Sequence, residues 1–226
     1  MNISVFGLGY VGCVSIGCLA ESGHNVIGVD VNPVKIDLIN RGVPTIVEDD
    51  IEKLISDNWK NGKIKATDNY IDAVNDTSIS LLCVGTPNTS EGHLDLSAVF
   101  ATAREIGEVL KEKDSFHVIV IRSTVLPGTN KKVSSIIEKY SGKKSSVDFG
   151  VISNPEFLRE GTSVKDYYNP SMIVIGSDSE KASRCVVEMY KDIDAPFIVT
   201  DIKIAEMIKY VSNAFHANKI IFANEI

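Results

Sequence analysis

The amino-terminal stretch lacks charged side chains, with none before Glu21 and no lysine or arginine before Lys35. A secretory leader places basic residues ahead of its apolar segment, so this stretch does not have the composition of a signal peptide. Its first 20 residues also contain four glycines, which argues against a membrane-spanning helix. We therefore expect a cytoplasmic protein without a membrane partner.

Cysteine and histidine are scarce, with four of each in 226 residues. No two cysteines have C-x-x-C spacing, and His24 is the only histidine close to one of them, so the sequence predicts no metal site. Every cysteine lies in or beside an apolar run, which indicates buried thiols in a reducing compartment and not nucleophiles. The cysteines are Cys13, Cys18, Cys83 and Cys185.

An excess of positive charge is also missing, because 23 Lys and Arg stand against 30 Asp and Glu, and the net charge is -7. A nucleic-acid-binding protein normally presents a basic face, so we expect no nucleic-acid partner. An anionic small molecule is compatible with this charge, since it needs only a few local donors. The apolar fraction of 44% and the charged fraction of 23% are typical of a globular protein.

Short apolar strands alternate with amphipathic helical patterns along the chain. Nearly continuous Val and Ile runs of this kind are typical of a parallel sheet covered by helices on both faces. The expected strands cover residues 3–7, 25–30, 78–85, 117–123, 148–153, 171–176 and 196–200. We therefore predict an α/β fold, a doubly wound parallel sheet of the Rossmann type, over residues 1–200. A long connecting helix, capped by Thr200 or Asp201, is expected over residues 201–226.

The segment FGLGYVG has the G-x-G-x-x-G spacing of a dinucleotide-binding loop, with Gly7, Gly9 and Gly12. The first glycine permits a tight turn, the second lets the backbone approach a pyrophosphate, and the third lets the helix pack on the strand. Backbone N–H groups around Tyr10 and Val11 then meet the phosphates. Glycines also occur in plain turns, but here the motif follows a strand and opens a helix. We therefore expect dinucleotide binding.

Polar residues at the ends of later strands extend this site. Asp30 ends the second strand, where an acidic residue binds the ribose hydroxyls and repels the 2′-phosphate of NADP, so NAD is the expected cofactor. Lys35 either adds a charge near the adenosine or is a solvated surface lysine. Thr86 in CVGTP and Thr124 in RSTVLPGT either cap turns or line the nicotinamide pocket. Because both loops leave the same edge of the sheet, we favour the pocket.

The segment SNPEFLREG places Glu156 and Glu160 about one helical turn apart. Carboxylates at the start of a helix are common, because the helix dipole favours them. The two residues are equally compatible with a base or a ligand beside a substrate. Periodicity does not decide between these interpretations.

Polar side chains form a stripe on the last helix. At about 100° per residue, Glu206, Lys209, Asn213, His216 and Asn224 share one sector. The opposite sector, expected to face the core, consists of Ile204, Ile208, Val211, Phe215 and Phe222. The polar stripe is either a solvated surface or a site at which Lys209 and Asn213 hold an oxygen that develops negative charge.

Taken in order, FGLGYVG, CVGTP, STVLPGT, NPEFLREG and EMIKYVSNAFHANKIIFANEI resemble the UDP-glucose/GDP-mannose dehydrogenase family over the whole chain. NPEFLREG, His216 and the FANEI segment are most similar to the members that oxidise GDP-mannose. The resemblance implies an NAD-dependent, four-electron oxidation of the primary alcohol of a sugar nucleotide to a carboxylate, through a thioester. GDP-mannose is the implied substrate and UDP-glucose the alternative. The implied assembly of the full-length protein is a homodimer.

The resemblance also implies roles for individual residues. Glu156 would assist the water that hydrolyses the thioester, and Lys209 with Asn213 would stabilise the oxyanion. Thr124 is expected to be both a catalytic residue and a cofactor-binding residue. The cofactor would be contacted by Tyr10, Val11, Asp30, Lys35, Thr86 and Thr124. The sugar nucleotide would be contacted by Glu160, Lys209, Asn213, His216 and Asn224.

One feature of the family is not found in the sequence. The nucleophilic cysteine of the family lies in a GGSC-like motif beyond the connecting helix, and none of the four cysteines here has that setting. The resemblance therefore implies that this chain is the cofactor-binding part and is inactive by itself. A β-hydroxyacid dehydrogenase of the 6-phosphogluconate type and a stand-alone NAD-binding module are the alternative interpretations. NPEFLREG disfavours the first of these.

Overall fold

Eight strands form one sheet in the computed structural model, which describes residues 1–226. The strands are β1 (Asn2–Phe6), β2 (Asn25–Val29), β3 (Ile64–Thr67), β4 (Ile79–Leu82), β5 (His117–Ile121), β6 (Phe149–Ser153), β7 (Ile173–Ser177) and β8 (Phe197–Thr200). The helices are α1 (Tyr10–Glu21), α2 (Pro33–Asn40), α3 (Ile51–Lys60), α4 (Tyr70–Asn75), α5 (Ser97–Leu110), α6 (Thr129–Ser141), α7 (Ser163–Tyr168), α8 (Glu180–Met189) and α9 (Ile202–Glu225). None of the helices combines the length and the apolar character that crossing a bilayer requires.

The strand order in the sheet is β3-β2-β1-β4-β5-β6-β7-β8. Strands β1 to β6 are parallel to one another. From β1 the chain first adds β2 and β3 on one side, and then returns to add β4, β5 and β6 on the other. The loops after β1 and β4 therefore diverge at the carboxyl edge, where doubly wound folds bind their ligands. The predicted α/β doubly wound fold is confirmed.

The last two strands depart from the all-parallel prediction. Strand β7 pairs antiparallel with β6, through Ile152 with Ser177 and Ser153 with Gly176, and β8 is parallel to β7. A parallel neighbour requires a crossover that carries the chain back along the sheet, usually on a helix. The only helix between β6 and β7 is α7, with 6 residues. This short helix does not return the chain to the amino edge, so β7 runs in the opposite direction.

Helices cover both faces of the sheet. Val118 and Val120 of β5 belong to the core beneath α1, α3 and α8, whereas Ile119 and Ile121 belong to the core beneath α5 and α6. All four side chains are buried. Because both faces of this strand are buried, its sequence is a nearly continuous apolar run.

Side-chain caps explain where four of the nine helices begin. The side chain of Asn32 accepts a backbone N–H bond at the start of α2, and Pro33 occupies the first helical position. Asp201, one of the two predicted caps, performs the same function for α9. The prediction omits the edge strand β3, because Lys65 interrupts a run of only 4 residues. Short, charged edge strands of this kind have a weak sequence signal.

Helix α9 attaches to the domain by its polar side, which is the reverse of the prediction for its two faces. Glu206 and Lys209 are buried, with relative exposures of 2% and 8%, and Ala205 of α9, which faces Gly176 of β7, is completely buried. The predicted core-facing side chains Ile204, Val211, Phe215 and Phe222 are exposed. Ile208 is half-buried.

Hydrogen bonds to Glu206 explain this orientation. Its carboxylate accepts bonds from the backbone N–H groups of Gly128 and Asn130, at 2.6 and 2.8 Å, and from the side-chain amide of Asn130 at 2.7 Å. These donors form the first turn of α6, where a negative charge also interacts favourably with the helix dipole. The polar side of the first turns of α9 therefore has partners in the domain, whereas Ile204 on the apolar side is exposed and both sides are exposed from residue 211 onward.

Candidate cofactor and substrate site

A cavity of about 590 Å³ lies at the carboxyl edge of the sheet, between the loops that follow β1 and β4. The predicted cofactor residues that line it are Gly7, Gly9, Tyr10, Val11, Asp30, Lys35, Thr86 and Thr124. Glu156 lines the same cavity, and residues from α5 complete its wall. The volume is within the range of typical small-molecule pockets. The structure thus brings the predicted cofactor residues together around one cavity, apart from Gly12.

Close backbone contacts require glycine at two of the three fingerprint positions, and the third leaves open space. Gly7 has a φ of 92°, and a Cβ added there would lie 2.8 Å from the carbonyl oxygen of Cys83. A Cβ at Gly12 would lie 1.8 Å from the carbonyl oxygen of Gly7, so only glycine lets α1 start this close to the turn. A Cβ at Gly9 would meet nothing within 4 Å, which leaves open space beside the backbone. This geometry fits a pyrophosphate against the first turn of α1.

Asp30 connects the glycine loop to the start of α2. Its carboxylate accepts the backbone N–H groups of Leu8 at 2.7 Å and Asn32 at 2.9 Å. Lys35 Nζ lies 3.4 Å from the same carboxylate, so this lysine is paired and also lines the cavity. A carboxylate has about four acceptor positions, and it therefore retains capacity for a ribose hydroxyl.

Thr86 and Thr124 join the loops that leave β4 and β5. The Thr86 hydroxyl donates to the carbonyl oxygen of Thr124 at 3.0 Å, and both residues are half-buried. The nearby Ser123 hydroxyl donates to the carbonyl oxygen of Val84 at 2.7 Å. The two interpretations of these threonines are thus compatible, because the residues fix the loops and line the cavity at the same time.

Glu156 and Lys209 form an ion pair. Lys209 Nζ lies 3.0 Å from Glu156 Oε1, and the exposed fractions of the two side chains are 10% and 11%. Glu156 Oε2 also accepts the backbone N–H of Leu158 at 2.7 Å, and Lys209 Nζ lies 5.3 Å from the ring centroid of Phe157. In such a poorly solvated position each charge depends on the other. The pair joins the loop after β6 to α9.

The remaining predicted substrate residues lie further out. Glu160 is exposed in the loop after β6, and neither Glu156 nor Glu160 starts a helix, which removes the helix-dipole interpretation of this segment. Asn213, His216 and Asn224 are exposed on the part of α9 beyond Lys209. They continue the face on which Lys209 lies, but the structure does not bring them into contact with the cavity.

Arg122 is a buried residue of the site that the sequence analysis did not select. Its Nη1 donates to Asn154 Oδ1 and to the Tyr190 hydroxyl, both at 2.8 Å, while Nε has no partner. The Tyr190 hydroxyl in turn donates to Asn154 Oδ1 at 2.9 Å. Arg122 therefore fixes the first residue of the loop that carries Glu156. The sequence feature that could have identified Arg122 is its position as a charged residue directly after the apolar strand β5.

The cysteines are reduced, and three of them are buried as predicted, whereas Cys185 is half-buried. Burial raises the pKa of Cys18 to about 12 and that of Cys83 to about 11. These thiols stay protonated at neutral pH, which makes them poor nucleophiles. The structure contains no group of three or more His, Cys, Asp or Glu side chains arranged to hold a metal ion.

The doubly wound sheet, the glycine loop at its switch point and the acidic residue after β2 define a dinucleotide-binding domain of the dehydrogenase type. Residues 1–194 match the model of the UDP-glucose/GDP-mannose dehydrogenase family, NAD binding domain. The chain belongs to this family. The match confirms NAD as the cofactor that Asp30 predicted.

Relatives with assigned activities cover the entire chain. It is 51% identical over 227 residues to the GDP-mannose 6-dehydrogenase of Pseudomonas aeruginosa, and 42% identical over 225 residues to the UDP-glucose 6-dehydrogenase TuaD of Bacillus subtilis. These alignments cover 100% of the chain but only 52% and 48% of the two relatives. The chain thus spans about half the length of the curated relatives it matches.

Solved structures agree with this grouping. A ternary complex of GDP-mannose dehydrogenase from Pseudomonas aeruginosa superposes with a TM-score of 0.98 at 50% identity, covering 100% of this chain and 52% of that one. A UDP-glucose dehydrogenase from Pyrobaculum islandicum superposes with a TM-score of 0.94 at 40% identity, covering 99% and 51%. The chain therefore has the fold of the corresponding half of these dehydrogenases.

Proposed function

We propose that this chain is the cofactor-binding part of an NAD-dependent dehydrogenase that oxidises the C6 alcohol of a sugar nucleotide to the carboxylate. The observation that carries the proposal is the Glu156–Lys209 ion pair, which lies beside the cavity that the fingerprint glycines line. A lysine next to a dinucleotide site can stabilise the oxyanion that develops during alcohol oxidation, and a carboxylate there can orient a water for hydrolysis.

The residues around the cavity support the cofactor site that we propose. The backbone N–H groups of Tyr10 and Val11 would bind the pyrophosphate, and Asp30 would bind the adenosine ribose. Thr86 and Thr124 would lie along the nicotinamide end. When bound, NAD supplies the hydride acceptor.

The substrate residues act on charge that develops during the reaction. Lys209 and Asn213 would donate to the C6 oxygen, whose negative charge grows as its proton leaves. Glu156, held by Lys209 and by a backbone N–H, would orient the water that hydrolyses the thioester. The sugar nucleotide would be bound by Glu160, His216 and Asn224.

GDP-mannose is the substrate we propose, with the corresponding uronate as product. Support comes from the relatives: the one at 51% identity is a GDP-mannose 6-dehydrogenase, and the one at 42% identity is a UDP-glucose 6-dehydrogenase. The thioester requires a cysteine nucleophile. Burial raises the pKa of Cys13, Cys18 and Cys83, and the half-buried Cys185 does not line the cavity. We therefore propose that residues 1–226 bind the cofactor but need the remainder of a protein about twice as long to turn over.

The apolar side of α9 supports a homodimer of the full-length protein. Val211, Phe215 and Phe222 have exposed fractions of 58%, 63% and 66%, and their spacing places them along one side of the helix. We propose a boundary at residue 200, after which α9 leaves the cofactor domain with this side available for a partner. We also propose that the protein works in the cytoplasm, where sugar nucleotides and NAD are present.

Turnover by the complete protein tests the proposal. Purified full-length enzyme should produce two NADH for each GDP-mannose, because oxidation of an alcohol to a carboxylate releases four electrons. UDP-glucose should react much more slowly, and a Lys209→Ala variant should lose most of the activity. The chain of 226 residues alone should produce no NADH from either substrate. Faster turnover of UDP-glucose than of GDP-mannose would refute the substrate assignment.

A further inference from the structure

Glu48, in the loop between α2 and α3, contacts two segments that are far from it in sequence. Its Oε1 accepts the backbone N–H of Gly161 at 2.5 Å, and its Oε2 accepts the backbone N–H of Ser163 at 2.9 Å. The hydroxyl of Tyr10 donates to Oε2 at 2.5 Å and also contacts the carbonyl oxygen of Arg159 at 3.2 Å. One carboxylate thus joins α1 to the loop after β6.

The protonation states of these groups match this arrangement. Burial alone would raise the pKa of Glu48, but the hydrogen bonds from Ser163, Tyr10 and Gly161 outweigh it and lower the pKa. Burial and the hydrogen bond to Glu48 raise the pKa of Tyr10 to about 12. At neutral pH Glu48 is therefore an ionised acceptor, and Tyr10 keeps the proton that it donates.

The two joined segments have different roles in the proposed reaction. Tyr10 is the first residue of α1, and its backbone N–H belongs to the turn that fits the pyrophosphate. The segment 156–163 begins with Glu156, which pairs with Lys209, and includes Glu160. This segment is irregular up to residue 162, so side-chain contacts and not a helix must fix its conformation.

We propose that Glu48 is a positioning residue that couples the cofactor site to the substrate segment 156–163. This inference rests on the proposed function. A pyrophosphate bound to the first turn of α1 restricts that turn, and the Tyr10 hydroxyl then holds Glu48 in the position where it accepts from Gly161 and Ser163. Cofactor binding would thereby order the segment that carries Glu156. By reciprocity, a substrate that orders this segment would increase the affinity for NAD.

Hydrogen exchange of the chain of 226 residues tests the coupling, with and without NAD at a concentration that saturates every variant. NAD should slow exchange of the amides in segment 156–163 by about fivefold or more in the wild type, the lower end of usual coupling factors. In Glu48→Gln, an NH₂ group replaces one acceptor oxygen and faces the Tyr10, Gly161 or Ser163 donors. Exchange of the segment should be faster without NAD, and NAD should no longer slow it.

Two further variants separate coupling from a loss of folding. Tyr10→Phe removes one hydroxyl and leaves the bonds from Gly161 and Ser163 to Glu48, so exchange without NAD should stay near the wild-type rate while the effect of NAD disappears. Glu52→Gln removes a charge from the exposed surface of α3, and in this variant NAD should slow exchange of segment 156–163 as much as in the wild type. An equal effect of NAD in wild type, Glu48→Gln and Tyr10→Phe would overturn the inference. Calorimetry on the same samples distinguishes this failure from an absence of NAD binding, which would overturn the proposed function as well.

Discussion

Replacement of Glu206 by alanine should detach the start of α9 from the domain. The carboxylate satisfies two backbone N–H groups and one side-chain amide at the start of α6. A buried donor without a partner costs about 1–3 kcal/mol. Gly128 is half-exposed and water can reach it, whereas Asn130 is buried, so the two donors of Asn130 dominate. We expect the free energy of unfolding to fall by about 3 kcal/mol.

Urea unfolding of the chain, followed by circular dichroism, measures this change. The matched control is Glu225→Ala, which removes an exposed carboxylate from the other end of the same helix. The control should change the free energy of unfolding by no more than about 0.5 kcal/mol. The loss in the free energy of unfolding for Glu206→Gln should lie between those of Glu206→Ala and Glu225→Ala, because the glutamine amide keeps one acceptor oxygen. A loss below about 1 kcal/mol for Glu206→Ala would show that water replaces the carboxylate, and the anchoring role of Glu206 would be wrong.

Two other predictions concern a buried histidine and the outer part of α9. Burial, with a smaller contribution from Lys113, lowers the pKa of His117 to about 3 from its ordinary 6.5. Between these values the unfolded chain binds a proton that the folded chain does not, so the free energy of unfolding should fall by up to about 1.4 kcal/mol per pH unit as the pH is lowered through this range. Urea titrations at several pH values should show that the free energy of unfolding of His117→Gln depends less steeply on pH than that of the wild type. An unchanged dependence would show that other groups cause the loss of stability at low pH. In a full-length enzyme with the proposed function, Asn213→Ala should lower kcat by about a hundredfold or more, while His216→Ala should mainly raise KM in steady-state assays. A raised KM with unchanged kcat for Asn213→Ala would show that Asn213 only binds the substrate.

Patterns that depend on neighbouring residues were predictable from the sequence. The fingerprint glycines, Asp30 and the apolar strands each have a local physical cause, because a tight turn, a strand end and burial on both faces constrain residue types directly. The cap of α2 by Asn32 has the same kind of cause. These features placed the predicted cofactor residues at the edge of the sheet where the structure has its cavity.

Features that depend on distant partners were not predictable. The periodicity of α9 shows that one side is apolar, but it contains no information on what covers that side. Glu206 faces the domain because the N–H groups of residues 128 and 130 are in reach, and those lie more than 70 positions away along the chain. Arg122 with Asn154 and Glu48 with Gly161 are contacts of the same long-range kind. Single charged residues in loops and at strand ends give no indication of such partners.

The central claim is that this chain binds NAD at the glycine loop, with Asp30 at the ribose. Titration calorimetry of the chain of 226 residues with NAD and with NADP tests it most directly. NAD should bind, and NADP should bind at least about tenfold more weakly, since its 2′-phosphate would meet the Asp30 carboxylate. Asp30→Ala should weaken NAD binding by about ten- to a hundredfold, because charged hydrogen bonds are lost. It should also reduce the difference between the affinities for NAD and NADP. Equal affinities of the wild type for NAD and NADP, or no effect of Asp30→Ala on NAD, would contradict the account.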